Sequence, residues 1–288
     1  MLPLTPKIEV LIKVLQAQGQ SLVEPADRAG LHPLLVPLTE QREGGSDLTL
    51  PVVSMARSAP TLCLLARSPG EYLHRALAEE DSQQGQAGAV AAAAAGSDGS
   101  RVYEEGAVSS SGVSIEAYLT RKAGMFPDVA EALALGHWGR GDTMSALITA
   151  EWYMRRMPDW GRPFEFASQL MQQAGRPEEA RDTARVGLRQ PWWTFQGGYA
   201  ALRDRAGLSG GLAAVRGALE EQDTMSNVGN GMIKTNPKSD KQVLLDEAEW
   251  LLNSAAAGEA QWDEIRRELA DTYSKAGLSD VAGFILAT

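Results

Sequence analysis

Cysteine and histidine are scarce in this sequence of 288 residues. It contains one cysteine, Cys63, and three histidines that stand far apart. A single cysteine excludes an intrachain disulfide and fits a reducing compartment. No His or Cys residues have metal-ligand spacing, and the adjacent carboxylate pairs would diverge on a helix. We therefore expect no metal, no cofactor, no catalytic residue and a non-enzymatic protein.

Long apolar runs are absent as well. No run approaches the roughly 20 residues that a membrane-spanning helix needs. The first 20 residues contain Lys7, Glu9 and Lys13, which is unlike a secretory signal or an acid-free transit peptide. We expect a soluble intracellular protein with no membrane span. The cytoplasm and the interior of a plastid or mitochondrion both fit.

Basic residues are fewer than acidic residues. The chain has 27 Lys and Arg residues against 37 Asp and Glu residues, and its formal net charge is −10. Affinity for nucleic acid depends on neutralising phosphates with Lys and Arg, so this balance disfavours a nucleic-acid partner. It favours another protein with a basic or neutral apolar surface.

Residues 1–81 are predicted to form a small α+β module. Apolar positions spaced as on one helix face predict a helix over Pro6–Ala17. Ser68 and Pro69 are typical of a helix start, with Ser68 as the N-cap. Short apolar runs between these helices predict a small meander of strands, over Leu34–Leu38, Leu48–Val53 and Thr61–Ala66.

Residues 82–112 are rich in Gln, Gly, Ala and Ser. Few side chains there are large and apolar, so burial cannot offset an ordering entropy of roughly 1–2 kcal/mol per residue. We expect a flexible low-complexity linker, with Val102 and Tyr103 as its anchors.

Residues 113–288 show helical periodicity to the end of the chain. A turn glycine followed five residues later by alanine occurs three times, and the first two copies are 34 residues apart. The same step also falls on Ala214 and Ala248. The helix Thr143–Met157 is apolar over much of its circumference, which predicts neighbours on several sides. The three copies are Gly141/Ala146, Gly175/Ala180 and Gly277/Ala282.

The last copy resembles the tetratricopeptide repeat (TPR). Leu269, Tyr273, Gly277 and Ala282 match the Leu, the Tyr, the turn and the Ala of that unit, and the small residue Ala270 stands in place of its Gly. The resemblance implies a mainly α fold, in which residues 113–288 form a TPR-like array of helical hairpins, an α-solenoid. It also implies a surface for a protein partner rather than a reaction.

Six residues are predicted to contact that partner. Four aromatic rings fall within eight residues, and such rings are frequent at the centres of interfaces. The alternative is that they seal the joint between helix pairs. Two arginines are candidates for binding a partner's carboxylates, and the alternative is pairing on their own helix surface. The six are Trp192, Trp193, Phe195, Tyr199, Arg155 and Arg189.

These observations predict a protein-interaction scaffold that acts as an assembly factor or an accessory subunit of a larger complex. Two alternatives stay open. One is an RNA-binding helical-repeat protein, because pentatricopeptide arrays have nearly the same repeat length. The other is an enzyme with a pocket between the N-terminal module and the helical array.

Overall fold

The computed structural model describes residues 6–40, 52–56, 59–83, 88–95, 102–229 and 238–287. Within these ranges the fold is mainly helical, with two small sheets, and no helix there is long and apolar enough to cross a membrane. Contacts divide the chain into two compact units. Unit 1 is Met1–Arg28 with Leu35–Thr149, and unit 2 is Ala29–Leu34 with Ala150–Thr288.

The described residues form fourteen α-helices, one π-helical turn at Leu119–Ala123 and one 3-10 turn at Trp192–Thr194. In chain order the helices are α1 Pro6–Ala17, α2 Pro69–Ser82, α3 Ala89–Ala94, α4 Ala107–Ser111, α5 Ile115–Tyr118, α6 Pro127–Gly139, α7 Thr143–Arg156, α8 Gly161–Gln173, α9 Pro177–Gly187, α10 Tyr199–Arg205, α11 Leu212–Gly229, α12 Asp240–Ala256, α13 Trp262–Lys275 and α14 Ser279–Leu286.

The core of unit 1 is built around α1 and α2. Helix α1 has the predicted bounds and buries Leu11 and Leu15 in this core. At the start of α2, the Ser68 hydroxyl accepts a hydrogen bond from the Glu71 amide at 3.2 Å, and Pro69 is the first helical residue. Both helix predictions are confirmed. They could be made from the sequence because caps and apolar spacing are local properties of the chain.

The sheets differ from the predicted meander. Strand β1, Ser21–Leu22, pairs with β2, Thr39–Glu40, and both lie in unit 1. Strand β3, Val52–Met55, forms an antiparallel hairpin with β4, Leu62–Ala66. Leu34–Leu38 is not a strand, since Pro37 cannot donate to a ladder. The predicted strand residues 48–51 lie outside the described ranges.

Much of the predicted flexible linker is packed in unit 1. Val90 and Ala94 of α3 and Val108 of α4 belong to its buried core. The Tyr103 hydroxyl donates to the Asp81 carboxylate, which also accepts from the Gly106 amide. Small side chains let these short helices lie close to α1 and α2, so composition alone misjudged this stretch. Residues 84–87 and 96–101 of it lie outside the described ranges.

Three helix pairs share one kind of turn. Its glycine has a positive φ of 75–78°. The amide of the next residue donates to the carbonyl five residues earlier, at 2.9–3.0 Å, as in a glycine-ended helix. The alanine of each copy is buried. The predicted turns are therefore confirmed at Gly141 between α6 and α7, at Gly175 between α8 and α9, and at Gly277 between α13 and α14.

The 34-residue step is not kept through the whole region. Ala248 is buried in α12, but Ala214 is exposed near the start of α11. Helix α7 also differs from its prediction, because the Met144 and Ile148 side chains are exposed rather than covered by neighbours.

Candidate partner-binding site

A buried carboxylate organises the loop that carries the predicted aromatic residues. The Glu165 side chain is 0% exposed in α8 and accepts a hydrogen bond from Arg162 at 2.9 Å. It also accepts from the amides of Gln196 and Gly197, at 2.9 and 2.7 Å. A Cβ at Gly197 would lie 2.6 Å from a Glu165 oxygen, so the backbone reaches the carboxylate only as glycine. Glu165 thus fixes this loop against α8.

Three of the four predicted aromatic contacts are core residues. The 3-10 turn directs Trp192 inward, where its indole donates to the Leu188 carbonyl at 2.8 Å and stacks on Tyr199 at 4.2 Å. Phe195 is completely buried. The alternative interpretation, a sealed joint between helix pairs, therefore applies to three of the rings: Trp192, Phe195 and Tyr199. They do not form a contact surface. Partner contact by the half-buried Trp193 stays a prediction.

Trp193 packs against a segment from the N-terminal part of the chain. The segment Ala29–Leu34, called the strap below, is assigned to unit 2. The His32 ring lies 5.0 Å from the ring of Trp193 and 4.7 Å from that of Trp262, between centroids. Burial first, and the charge of Arg266 second, lower the pKa of His32 to about 3. This imidazole is therefore neutral at physiological pH.

Acidification should weaken unit 2 through His32. Its pKa is 6.5 in the unfolded chain and about 3 in the fold, so between these values only the unfolded chain takes up the proton. The stability is complete above pH 6.5 and is lost as pH falls toward 3. At pH 5.0 we expect a loss of about 2 kcal/mol relative to pH 7.5. Denaturant unfolding at both pH values measures it. His32→Gln should remove most of this difference, and an unchanged difference would contradict the assignment.

The two predicted arginines make local contacts. Arg155 pairs with Glu151 one turn earlier on α7, and both side chains are exposed. Arg189 donates to the Arg185 carbonyl at 2.9 Å. Neighbouring arginines of α9 pair within the helix surface, including Arg181 with Glu178. The alternative interpretation was that these arginines pair on their own helix surface. It accounts for much of the positive charge that they carry. Partner contact by Arg155 and Arg189 stays a prediction.

An exposed apolar face lies on α7. The side chains of Met144 and Ile148 are one turn apart and are 67% and 57% exposed. Glu151 and Arg155 follow at helical spacing, so a charged pair continues the same face. Leu135 on α6 is also exposed. Large exposed apolar side chains that share a face are typical of protein-interaction surfaces.

Unit 1 contains a cavity of about 350 Å³. Arg75 lines it and is held by Glu79 at 2.7 Å and by Asp128 through two hydrogen bonds of 2.6 and 2.8 Å. These two carboxylates raise the pKa of Arg75 against the effect of burial. The guanidinium is thus already engaged by two carboxylates of the protein itself. In the described part of the chain, no three His, Cys, Asp or Glu residues are grouped to hold a metal.

Sequence reasoning missed Glu165 and the strap. In the sequence, Glu165 stands between Phe164 and Phe166. An unpaired charge among apolar side chains is costly, so this position indicated a carboxylate with a partner. For the strap there was no such indication, because its hydrogen bonds to α13 join residues more than 200 positions apart.

Comparisons with known proteins cover nearly the whole chain. Three family models match it: PAB N-terminal over residues 2–122, PAB middle domain over 127–212, and PAB C-terminal domain over 215–287. A curated relative from Arabidopsis thaliana, "Protein IN CHLOROPLAST ATPASE BIOGENESIS, chloroplastic", is 34% identical over 293 residues. The match spans 96% of this chain and 85% of the relative. No solved structure matches.

Proposed function

The chain belongs to the PAB family, and we propose that it is a non-enzymatic assembly factor in the biogenesis of a chloroplast ATPase. The observation that carries this proposal is the 34% identity to the Arabidopsis protein along 96% of the chain. Identity at this level over all three PAB regions supports a shared role better than a match to one region would. The proposal places the protein in the plastid interior.

Complementation tests the proposal. The chain, fused to a chloroplast transit peptide, is expressed in an Arabidopsis line that lacks the relative, and assembled ATPase is quantified on native gels. We expect the amount of assembled complex to rise toward the wild-type level. Correct import and accumulation of the chain without any gain in assembled ATPase would refute the proposal.

An assembly factor acts by binding, and the face of α7 with Met144 and Ile148 is the surface we propose for it. The exposed side chains there are apolar, while the chain as a whole carries a net charge of −10. Apolar contact supplies the affinity, and the net negative charge of the chain favours a partner that also carries basic residues. Trp193, Arg155 and Arg189 are proposed as additional contacts.

We further propose that unit 2 is a TPR-like stack of hairpins. The shared glycine turns after α8 and α13 support this, and so does the packing of α12, α13 and α14 as successive neighbours. In such a stack each hairpin presents one face to a partner. The paired arginines and the negative net charge weigh against RNA as that partner.

Changing the α7 face should reduce partner capture without unfolding the protein. For Met144→Ser/Ile148→Ser we expect at least a tenfold loss in the ATPase subunits recovered by pull-down from chloroplast extract, because truncated anchor residues commonly cost 2 kcal/mol or more. The unfolding midpoint should stay near that of the wild type, since both side chains are exposed.

The control is Val243→Ser, which removes an exposed apolar side chain from α12. It should leave the recovery of ATPase subunits unchanged. Equal recovery by the α7 variant and the wild type would show that the partner binds elsewhere.

A further inference from the structure

The strap is held in unit 2 by contacts to its backbone. The Asp263 carboxylate accepts from the Gly30 amide at 2.9 Å. The Arg266 guanidinium donates to the Leu31 carbonyl at 2.9 Å. Asp263 and Arg266 also pair with each other at 2.8 Å, one turn apart on α13. Two side chains of one helix thus bind two successive residues of a turn through groups that every peptide possesses.

The side chains of the strap enter an apolar groove beside these polar groups. Leu31 is completely buried, and His32 lies between the indoles of Trp193 and Trp262. Gly30 has a φ of 72°, a left-handed conformation that favours glycine. Contacts to backbone groups next to pockets for side chains are a general way in which proteins bind peptide segments.

His32 does not satisfy the hydrogen-bond donors of the groove. The Leu34 amide donates to His32 Nδ1 at 3.3 Å, which assigns the ring proton to Nε2. Both His32 Nε2 and Trp262 Nε1 are buried N–H donors. Among the residues that the structure describes, neither has a hydrogen-bond partner. An acceptor side chain at the position of His32 would satisfy the Trp262 indole, whereas the imidazole adds a second donor.

The residues that flank the strap are joined to each other by a contact that does not involve the groove. The buried Arg28 side chain donates to the Leu35 carbonyl at 3.1 Å, so the residues on either side of the strap are already joined. A loop closed at its base loses little additional entropy on docking and can leave and return as one element.

We propose that Trp193, Trp262, Asp263 and Arg266 form a peptide-binding groove, which the chain occupies with its own strap until a partner protein supplies a competing segment. The chemistry of the groove defines that segment. It is a Gly-Leu turn followed by a residue with an acceptor side chain, such as glutamine. Release of the strap is the step that opens the site. This inference goes beyond the role in ATPase assembly, and it can hold if complementation fails.

A peptide binding assay tests the proposal on the full chain. The probe is a labelled synthetic peptide with the sequence of residues 26–37, and binding is followed by anisotropy. The receptor is the variant Leu31→Ser/His32→Ser, in which the strap no longer fills the groove. We expect this variant to bind the peptide at least tenfold more tightly than the wild type, where the strap competes. The same peptide carrying His32→Gln should bind at least fivefold more tightly than the unmodified peptide.

The matched control adds Asp263→Ala to the strap variant. Loss of the acceptor for the glycine amide should weaken peptide binding at least fivefold. A folded strap variant that does not bind either peptide would overturn the proposal.

Hydrogen exchange of the wild type provides a second measurement in case the strap variant does not fold. The Gly30 amide, bound to Asp263, should exchange at least a hundredfold faster than the core amide of Leu269 in α13, because the strap opens without unfolding α13. Exchange of both amides at the same rate, in a single global opening, would show that the strap does not leave the groove and would likewise overturn the proposal.

Discussion

Replacing Glu165 with alanine is expected to lower the free energy of unfolding of unit 2 by about 3–5 kcal/mol. The carboxylate is wholly buried and accepts three hydrogen bonds, from Arg162 and from the amides of Gln196 and Gly197. Its removal takes the counter-charge from Arg162 and the acceptor from two amides of the aromatic loop. The backbone that positions Trp192 and Phe195 then loses two of its hydrogen bonds to α8.

Guanidinium unfolding followed by tryptophan fluorescence suits this measurement. Six of the seven tryptophans lie in unit 2, because only Trp138 falls within residues 35–149. The matched control is Glu151→Ala, which breaks the exposed pair with Arg155 on α7. Exposed pairs contribute at most about 1 kcal/mol, so this control should stay close to the wild type. Equal effects of the two substitutions would contradict the structural role of Glu165.

Local chemistry made part of the fold predictable. The bounds of α1 and the start of α2 at Pro69 follow from apolar spacing and capping within a few residues. The turn glycines Gly141 and Gly175 were identified because only glycine adopts their positive φ without strain. The TPR-like stack itself stays a proposal, since the exposed Ala214 interrupts the 34-residue step.

Features that depend on distant residues were not predictable from one sequence. The strap has no periodicity or motif of its own, and the Leu31 carbonyl accepts from Arg266, which lies 235 positions later in the chain. Residues 82–112 were interpreted as a linker because composition does not show that Asp81 bonds to Tyr103.

The aromatic cluster shows the same limit at the candidate site. Four rings in eight residues indicated either an interface or a core. The choice depended on the 3-10 turn, which points Trp192 inward and leaves Trp193 half-buried. The apolar circumference of α7 predicted neighbours on several sides, but the Ile148 side chain is exposed, because a sequence does not reveal which helix faces lack a neighbour.

Gly161→Ala is expected to destabilise unit 2 by about 3 kcal/mol, at the upper end of the range for overpacking. A Cβ at this position would lie 2.2 Å from a ring carbon of Phe195 and 2.7 Å from the Thr194 hydroxyl oxygen. Phe195 is wholly buried and cannot rotate away. The Gly161 amide also donates to that hydroxyl at 2.7 Å, so a shift of the backbone would break this bond.

The control for Gly161→Ala is the same substitution at Gly217, on the exposed side of α11. No atom lies within 4 Å of a Cβ built there. Alanine in an exposed helix position is more favourable than glycine by about 1 kcal/mol, so Gly217→Ala should raise the unfolding midpoint while Gly161→Ala lowers it. The opposite signs separate close packing at Phe195 from the helix propensity that both substitutions share. A Gly161→Ala protein as stable as the wild type would show that the aromatic loop can move away from α8, and the fixed position of Trp193 would then be wrong.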